Sequence, residues 1–473
     1  MTLLKTILPI AIKGKPFKSV LISALLAFQA LGCASTPREP ASLLIDSPEH
    51  WSQSNLHEPV SDDWLTTFQD PLLDALVAEA LTANIELAGQ FASLVEARSN
   101  VIVAGADRWP SLNANLSSTL AQSPGEESSS FGLNADWELD IWGRLSATQK
   151  QAVHSLEARK AEYEEARRQL AADVASQWYQ LINDQELYEL IRLRVTALEA
   201  DLDIIMSRYR QGIADALDVY LAQTSLLQEQ ASAETQRQDL IETSTRLQRL
   251  LGRYPSGDFV TEAKLPEIHT TIPAGLPSDL VLRRPDLQES WQTLLAADAR
   301  LAVAHKNRFP RLSLTGRISD NANDIGNIFD TKEVIRSLVA NLAIPIFQGG
   351  RLSAAENVAE AQRTQAEQSY LSQVQNAFAE VETTVSQQAQ LAKRLNAISG
   401  AQKNAQAGYE LSFEQYQRGL VDYTTVLQAQ LRAFNTETAL LNLKNLLLQN
   451  RIALHQALGG GFSATDTSVT SNP

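Results

Sequence analysis

One long stretch of this chain occurs twice. Gly143-Arg144-Leu145-Ser146-Ala147 returns as Gly350-Arg351-Leu352-Ser353-Ala354, 207 positions later. Arg208-Tyr209-Arg210-Gln211-Gly212 returns as Gln415-Tyr416-Gln417-Arg418-Gly419, and Leu251-Gly252 as Leu458-Gly459, at the same spacing. A constant offset held over about 110 residues implies an ungapped duplication of one structural unit. Between Arg144 and Leu251 there is no Pro, and Gly212 is the only Gly. A helix unbroken from Arg144 to Gln211 would reach roughly 100 Å at about 1.5 Å per residue. That is far beyond a globular helix, so the chain reads as a long rod or tube.

The segments before each copy are related as well, at an offset of 200: Leu87 maps to Leu287, Arg108 to Arg308, and Trp109-Pro110 to Phe309-Pro310. Asp70-Pro71 opens a helical segment, with the acid and the Pro at its start. Leu72, Leu73, Leu76, Val77, Ala80 and Leu81 recur at three and four. The pattern predicts one helix to about Asp107, with Gly89 and Gly105 as weak points. A matching segment follows Pro285-Asp286.

After Pro110 and Pro310 the period changes from helical to two. Leu112, Ala114 and Leu116 alternate with Asn113, Asn115 and Ser117. Phe131, Leu133, Ala135, Trp137, Leu139 and Ile141 alternate with Gly132, Asn134, Asp136, Glu138 and Asp140. In the second half Leu312, Leu314 and Ile318 alternate with Arg311, Ser313, Thr315 and Arg317, and Leu338, Ala340, Leu342, Ile344 and Ile346 share a face. These are two β-hairpins, with strands of about 10 residues, the length of a tilted transmembrane strand. A half-buried sheet on a soluble core is the alternative. The charges Asp136, Glu138, Asp140, Arg311 and Arg317 favour a face that meets water, as a barrel lumen does. Trp109, Phe131, Trp142, Phe309 and Phe347 lie near strand ends, where an interfacial girdle would place them. Four strands cannot close a barrel and open edges are not allowed in lipid, so several copies must share one. The fold class is thus an α+β membrane protein: a long α-helical coiled-coil barrel plus a transmembrane β-barrel, four strands per chain.

In the long helix Leu187, Ile191, Val195, Leu198, Leu202, Ile205 and Tyr209 step by three or four, a heptad-like seam. Gly212 and Gly419 interrupt the two copies and read as tight turns between antiparallel helices. Gly143 and Gly350 mark the strand-to-helix junctions at the other end.

The chain's net charge is −15; without the four lysines of residues 1–32, 36 basic residues face 55 acidic ones, or −19. An acidic chain without basic stripes excludes nucleic acid as a partner. The His are scattered and there is one Cys, so no metal site or disulfide frame is read. No phosphate loop, Ser-His-Asp order or paired acid site stands out; the chain reads as no enzyme and calls for no cofactor.

Residues 1–18 carry Lys5, Lys13, Lys15 and Lys18, and Ser19 to Leu31 is uncharged. That stretch is too short to span a bilayer and has the length of a signal-peptide h-region. It ends in Ala30-Leu31-Gly32-Cys33-Ala34-Ser35, which resembles a bacterial lipobox, with Ala30 where such boxes usually carry Leu. The resemblance implies cleavage before Cys33, acylation there, and, since Ala34 is not Asp, sorting to the outer membrane. An ordinary signal peptide with an incidental Cys is the alternative. The organisation reads as a lipoprotein signal peptide (1–32), a lipidated tether (33–69), and a first repeat (70–254) with hairpin 111–142 and helical hairpin 144–251. A linker (255–275), a second repeat (276–459) with hairpin 311–348 and helical hairpin 351–458, and a disordered tail (460–473) follow.

Together these segments resemble the outer membrane efflux proteins, the TolC-like family, in its NodT-type lipoprotein branch. The match is carried by Leu31-Gly32-Cys33, Asp70-Pro71, Leu276-Pro277-Ser278-Asp279-Leu280, Leu282-Arg283-Arg284-Pro285-Asp286, Phe309-Pro310, the two Gly-Arg-Leu-Ser-Ala segments, and Tyr209-x-x-Gly212 with Tyr416-x-x-Gly419. The resemblance implies a homotrimer with a 12-stranded barrel in the outer membrane of a Gram-negative bacterium. Its helical part would stand in the periplasm. Its partners would be outer-membrane lipid, a periplasmic adaptor (membrane fusion) protein and an inner-membrane RND-type pump. The chain would be the passive exit duct for drugs or other toxic compounds. Type I protein secretion or metal-ion efflux are the alternatives within the family. A non-conducting periplasmic coiled-coil scaffold lipoprotein is the alternative outside it. Adaptor contact falls on Gly212, Ile213, Gly419 and Leu420. The family's entrance carboxylates are replaced by Thr425 and Gln428, which leaves Asp215, Asp218 and Asp422 as the nearby acids for the entrance. Arg283 and Arg284 read as a junction or cap feature.

Overall fold

The computed structural model describes residue 51 and residues 64–119, 128–267, 283–322 and 334–461. Cys33, most of the expected tether, residues 268–282, the centres of both β-hairpin loops and the tail from 462 lie outside the described residues. Among the described residues there are seven α-helices and four strands.

Helix α1 is Pro71–Ala83. The Asp70 carboxylate accepts from the backbone N–H groups of Leu72 and Leu73, and Pro71 occupies the first turn, where no N–H is needed. The other Asp70 oxygen accepts the Trp178 indole N–H at 2.7 Å, tying this cap to the core. The helix does not run on to Asp107. It breaks at Asn84, which is extended, and α2 (Ile85–Ala106) begins there. The Asn84 side chain caps α2 by accepting from Leu87 N at 2.9 Å and donates to Leu250 O at 2.9 Å. Asn competes with its own backbone for hydrogen bonds, so it ends a helix that Gly89, which stays helical, does not.

Strands β1 (Ser111–Thr119) and β2 (Ser128–Leu139) lead to α3 (Arg144–Arg210), 67 residues without interruption, and α4 (Ala216–Leu250), 35 residues. The second half repeats this order as α5 (Pro285–Lys306), β3 (Arg311–Ala322), β4 (Ile335–Ala343), α6 (Arg351–Gln417) and α7 (Tyr423–Ala457). Helices α6 and α7 again have 67 and 35 residues, and α5 matches the 22 of α2. The duplication read from sequence is therefore a duplication of lengths as well.

Each long helix is flanked by two shorter ones. Helices α2 and α4 pack on α3, and α5 and α7 pack on α6; α3 also packs against α5 and α7. Where α7 ends and α5 begins, Arg284 joins them. It is buried, donates to Ala457 O at 3.2 Å, and pairs with Asp286 and Glu380 at 2.7 Å each. Burial opposes charge on Asp286, but the Arg284 guanidinium outweighs it and holds the carboxyl below its ordinary value. Arg284 thus has the junction role expected of it.

The main core sits where α1, α3, α4 and α7 meet. Trp64 and Phe68, from a short turn at Leu65–Phe68, join Trp178, Tyr179, Ile182, Leu247 and Ile452 there. Trp51 is buried too, its ring 6.0 Å from that of Phe378 on α6. Along the α3 seam Leu187, Ile191, Leu198 and Ile205 are buried, whereas Tyr209, the last residue of the pattern, is 47% exposed. At Gly252 (φ 70) an added Cβ would lie 2.3 Å from Ala83 O, so the end of α4 rests directly on the end of α1. Gly212 has the same φ of 70 with nothing within 4 Å. Gly212→Ala should cost about 1 kcal/mol from backbone strain alone. Gly252→Ala should cost about 3 kcal/mol, because a backbone carbonyl must also move. Denaturant unfolding followed by circular dichroism checks the order of the two.

Candidate functional site: a two-faced sheet and the helical hairpin ends

The strands form one antiparallel sheet in chain order, β1-β2-β3-β4. Its register sorts the side chains, because directly paired residues share a face. Leu112 pairs with Ala135, Leu116 with Phe131, Leu133 with Ile318, Trp137 with Leu314, and Leu312 with Leu342. The opposite face pairs Ser117 with Ser130, Asn134 with Arg317, Asp136 with Thr315, and Glu138 with Ser313. One face is therefore mainly apolar, broken by Asp320 opposite Phe131 and Arg336 opposite Ile318, and the other is mainly polar, with Val339 and Ile335 of β4 as its apolar members. Asp136, Glu138, Arg311 and Arg317 share the polar face. Thr315 Oγ1 donates to Asp136 at 2.8 Å, and Arg311 donates to Asn307 Oδ1 at 2.9 Å.

Asp140 departs from that group. It lies past Leu139, the last residue of β2, and accepts from Leu145 N at 2.9 Å and Ser146 N at 2.8 Å. It therefore caps the start of α3, across Gly143. Burial opposes its charge, but the Ser146 side chain, the two backbone N–H groups and Arg108 outweigh it and keep the carboxyl below its ordinary range. Glu138 meets the first residue of the same helix, Arg144, at 2.8 Å.

Strand β4 stops at Ala343, before Ile344 and Ile346, which the alternation included. Pro345 follows at once and has no N–H to offer a ladder. Every residue of β1 and of β4 is exposed, and each of these strands pairs on one side only.

The two helical hairpins turn alike. Gly212 N donates to Tyr209 O and Ile213 N to Arg208 O; Gly419 N donates to Tyr416 O and Leu420 N to Gln415 O, all four at 2.9 Å. This is the Schellman closure, which needs positive φ at the Gly; the values are 70 and 74. Space around both glycines is open, and Ile213 and Leu420 are 59% and 68% exposed. Asp215 and Asp422 occupy the N-cap positions of α4 and α7 without capping by their side chains, and both are exposed. Thr425 and Gln428 are exposed as well.

Asp218 is engaged instead. It accepts the Tyr416 hydroxyl at 3.0 Å, joining α4 to α6. Beside it Arg208 of α3 donates to Gln417 O at 2.7 Å and to Tyr416 O, with its guanidinium 5.0 Å from the Tyr416 ring. A cation thus meets the carbonyls at the C-terminal end of a helix, where the macrodipole favours it. Further from the turn Tyr409 donates to Asp201 at 2.9 Å and receives Gln430 Nε2 at 3.1 Å. Burial pushes the Asp201 carboxyl up, and the Tyr409 hydrogen bond offsets part of that. Burial, then the Asp218 bond, pushes the Tyr416 hydroxyl up to about 12. Ile205, Ala222, Tyr416, Tyr423 and Val426 bury one another among these bonds. The two hairpin ends are thereby latched together inside one chain.

Sequence reasoning placed Asp218 near the turn but missed its bond to Tyr416, the Arg208 contacts beside it and the Tyr409–Asp201 pair. The usable signal was divergence between copies. At the shift of 207, Asp201 becomes Gly408, Arg208 becomes Gln415 and Asp218 becomes Thr425. Arg208→Ala combined with Tyr416→Phe should part the ends while leaving helix content unchanged. Spin labels at Gln211 and Arg418 should report a longer, broader distance distribution than in the unaltered protein.

The outer membrane efflux protein family model matches residues 76–253 and 276–460. The chain is 30% identical over 409 residues to the toluene efflux pump outer membrane protein TtgI of Pseudomonas putida, covering 84% of this chain and 87% of that one. It is 30% identical over 423 residues to the cation efflux system protein CusC of Escherichia coli K12, covering 84% and 88%. Among solved structures, the outer-membrane channel OprN superposes with a TM-score of 0.82 at 25% identity, covering 88% of this chain and 97% of that one.

Proposed function

The chain belongs to the outer membrane efflux protein family, and from that premise we propose that it is the outer-membrane exit duct of a tripartite efflux system. It conducts and does not catalyse. Three copies bring twelve strands, four from each, enough to close a barrel around an aqueous path. The observation that carries this reading is the two-faced sheet with both edges open. Its apolar face suits lipid, and its polar face, with Asp136, Glu138, Arg311 and Arg317, suits a wetted lumen. The long helices continue the duct into the periplasm.

At the far ends Gly212, Ile213, Gly419 and Leu420 meet a periplasmic adaptor. Their exposed backbone and apolar side chains support this, since Gly lets a partner approach closely. Docking there would release the bonds of Arg208, Tyr416 and Asp218 and open the entrance. Asp215 and Asp422, exposed at the helix starts, lend the entrance its negative charge, with Asp218 beside them once Tyr416 lets go. The inner-membrane pump, of RND type, supplies the energy and selects the cargo, which is drugs or other toxic compounds. Relatives at equal identity carry names of toluene efflux and of cation efflux, which supports selection by the partner. Cys33 anchors the chain to outer-membrane lipid.

Purified trimers in planar bilayers should conduct ions with a modest cation preference. Well-folded trimers that carry no current would overturn the duct and favour the scaffold reading. Cys33→Ser should abolish incorporation of labelled palmitate; labelling that persists would refute the anchor.

A further inference from the structure

The seam between α3 and α7 carries a row of polar pairs alongside its apolar core. Gln456 Nε2 donates to Gln169 at 3.0 Å, Gln449 Nε2 to Ser176 O at 2.9 Å, Asn445 Nδ2 to Gln180 at 2.8 Å and Asn183 Nδ2 to Asn442 at 3.2 Å. In every pair the two residue numbers add to 625. That constancy defines one antiparallel register over four contacts. The seam joins the long helix of the first copy to the short helix of the second.

The converse seam, long helix of the second copy with short helix of the first, is not made within the chain. Its members are α6 and α4. Shifting the observed pairs by 207 gives Asn376 with Arg249, Thr383 with Glu242, Gln387 with Gln238, and Gln390 with Thr235. All eight are polar, and all eight are exposed in the single chain. On α6 they lie away from Ala377, Val381 and Val385, which are buried.

We propose that α6 of one copy docks on α4 of the next in this register, residue for residue like the internal seam. The proposal rests on the trimeric reading above and adds which side chains meet. The occupant is a second copy because the chain itself displays the complement of each face: α3 shows what α4 should receive, and α7 shows what α6 should receive. The open edges of β1 and β4 point to the same neighbour.

The two seams differ in one respect. Within the chain Arg194, nearly buried, donates to Phe434 O at 2.8 Å and pairs with Glu437 at 2.9 Å. The shifted positions are Ala401, Leu227 and Gln230. The seam between copies therefore lacks that anchor, and its charged members are Arg249 and Glu242, set opposite Asn376 and Thr383.

The test uses the full chain with Thr383→Cys and Glu242→Cys, oxidised in membranes and run without reductant. A control pairs Thr383→Cys with Arg249→Cys, one heptad out of register, about 10 Å along the helix. The unaltered chain, with Cys33 retained, is the blank. The matched pair should give dimer and trimer bands at least tenfold stronger than the control. Native mass spectrometry of the same preparations reads the assembly independently. Trimers with a silent matched pair, or with a stronger control, would overturn the register and leave the trimer standing. A monomer in the native measurement would overturn the trimeric reading and this inference with it.

Discussion

An unpaired strand edge cannot stand in hydrocarbon, since each backbone N–H or C=O left there without a partner costs several kcal/mol. Strands β1 and β4 present such edges, on a sheet whose one face is mainly apolar from Leu112 to Leu342. Everything else in the chain is consistent with that demand. The edges must meet, so copies must assemble. In the proposed barrel the polar face turns inward, where Asp136 and Thr315 bond to each other rather than face lipid. Asp140 and Glu138 carry the strand directly into the first turn of α3, so the sheet and the helical wall are one continuous construction.

The wall is stabilised differently along its length. In the middle, Trp64, Phe68, Trp178 and Tyr179 form a buried aromatic core, and Arg284 joins the end of α7 to the start of α5. Aromatic burial there removes large areas from water and makes that level the firmest. Toward the hairpin ends the buried set shrinks to a few residues around Ile205 and Tyr416, stitched by hydrogen bonds that water can replace. An end held by fewer buried residues opens at lower cost than the aromatic level behind it.

Much of this was legible in the sequence because it depends on periodicity and on residues with strong local preferences. The offset of 207 located the helices, Pro71 and Pro285 their starts, and Gly212 and Gly419 their turns. Alternation separated the two faces of the sheet before any register was known. Three things were not legible. The break at Asn84 was missed because apolar periodicity runs across it; the Asn caps α2 locally, and its tertiary bond to Leu250 O is visible only in the fold. The end of β4 was missed because apolar alternation ran on through Pro345, whose missing N–H is a backbone property. The latch was missed because Tyr416 read only as part of the repeated turn and Tyr409 carried no pattern, whereas their hydroxyls act across helices.

The latch has a consequence for how many parts can move. Along the shaft the two copies within a chain are near equivalents, so a trimer has six similar wall segments. At the hairpin ends the residues that tie one segment to the next, Asp201, Arg208 and Asp218, occur in the first copy alone, with Gly408, Gln415 and Thr425 at the matching places. Ties therefore alternate with gaps around the ring. In the proposed trimer the mouth has three jaws, each a whole subunit, although the tube behind it is built from six staves.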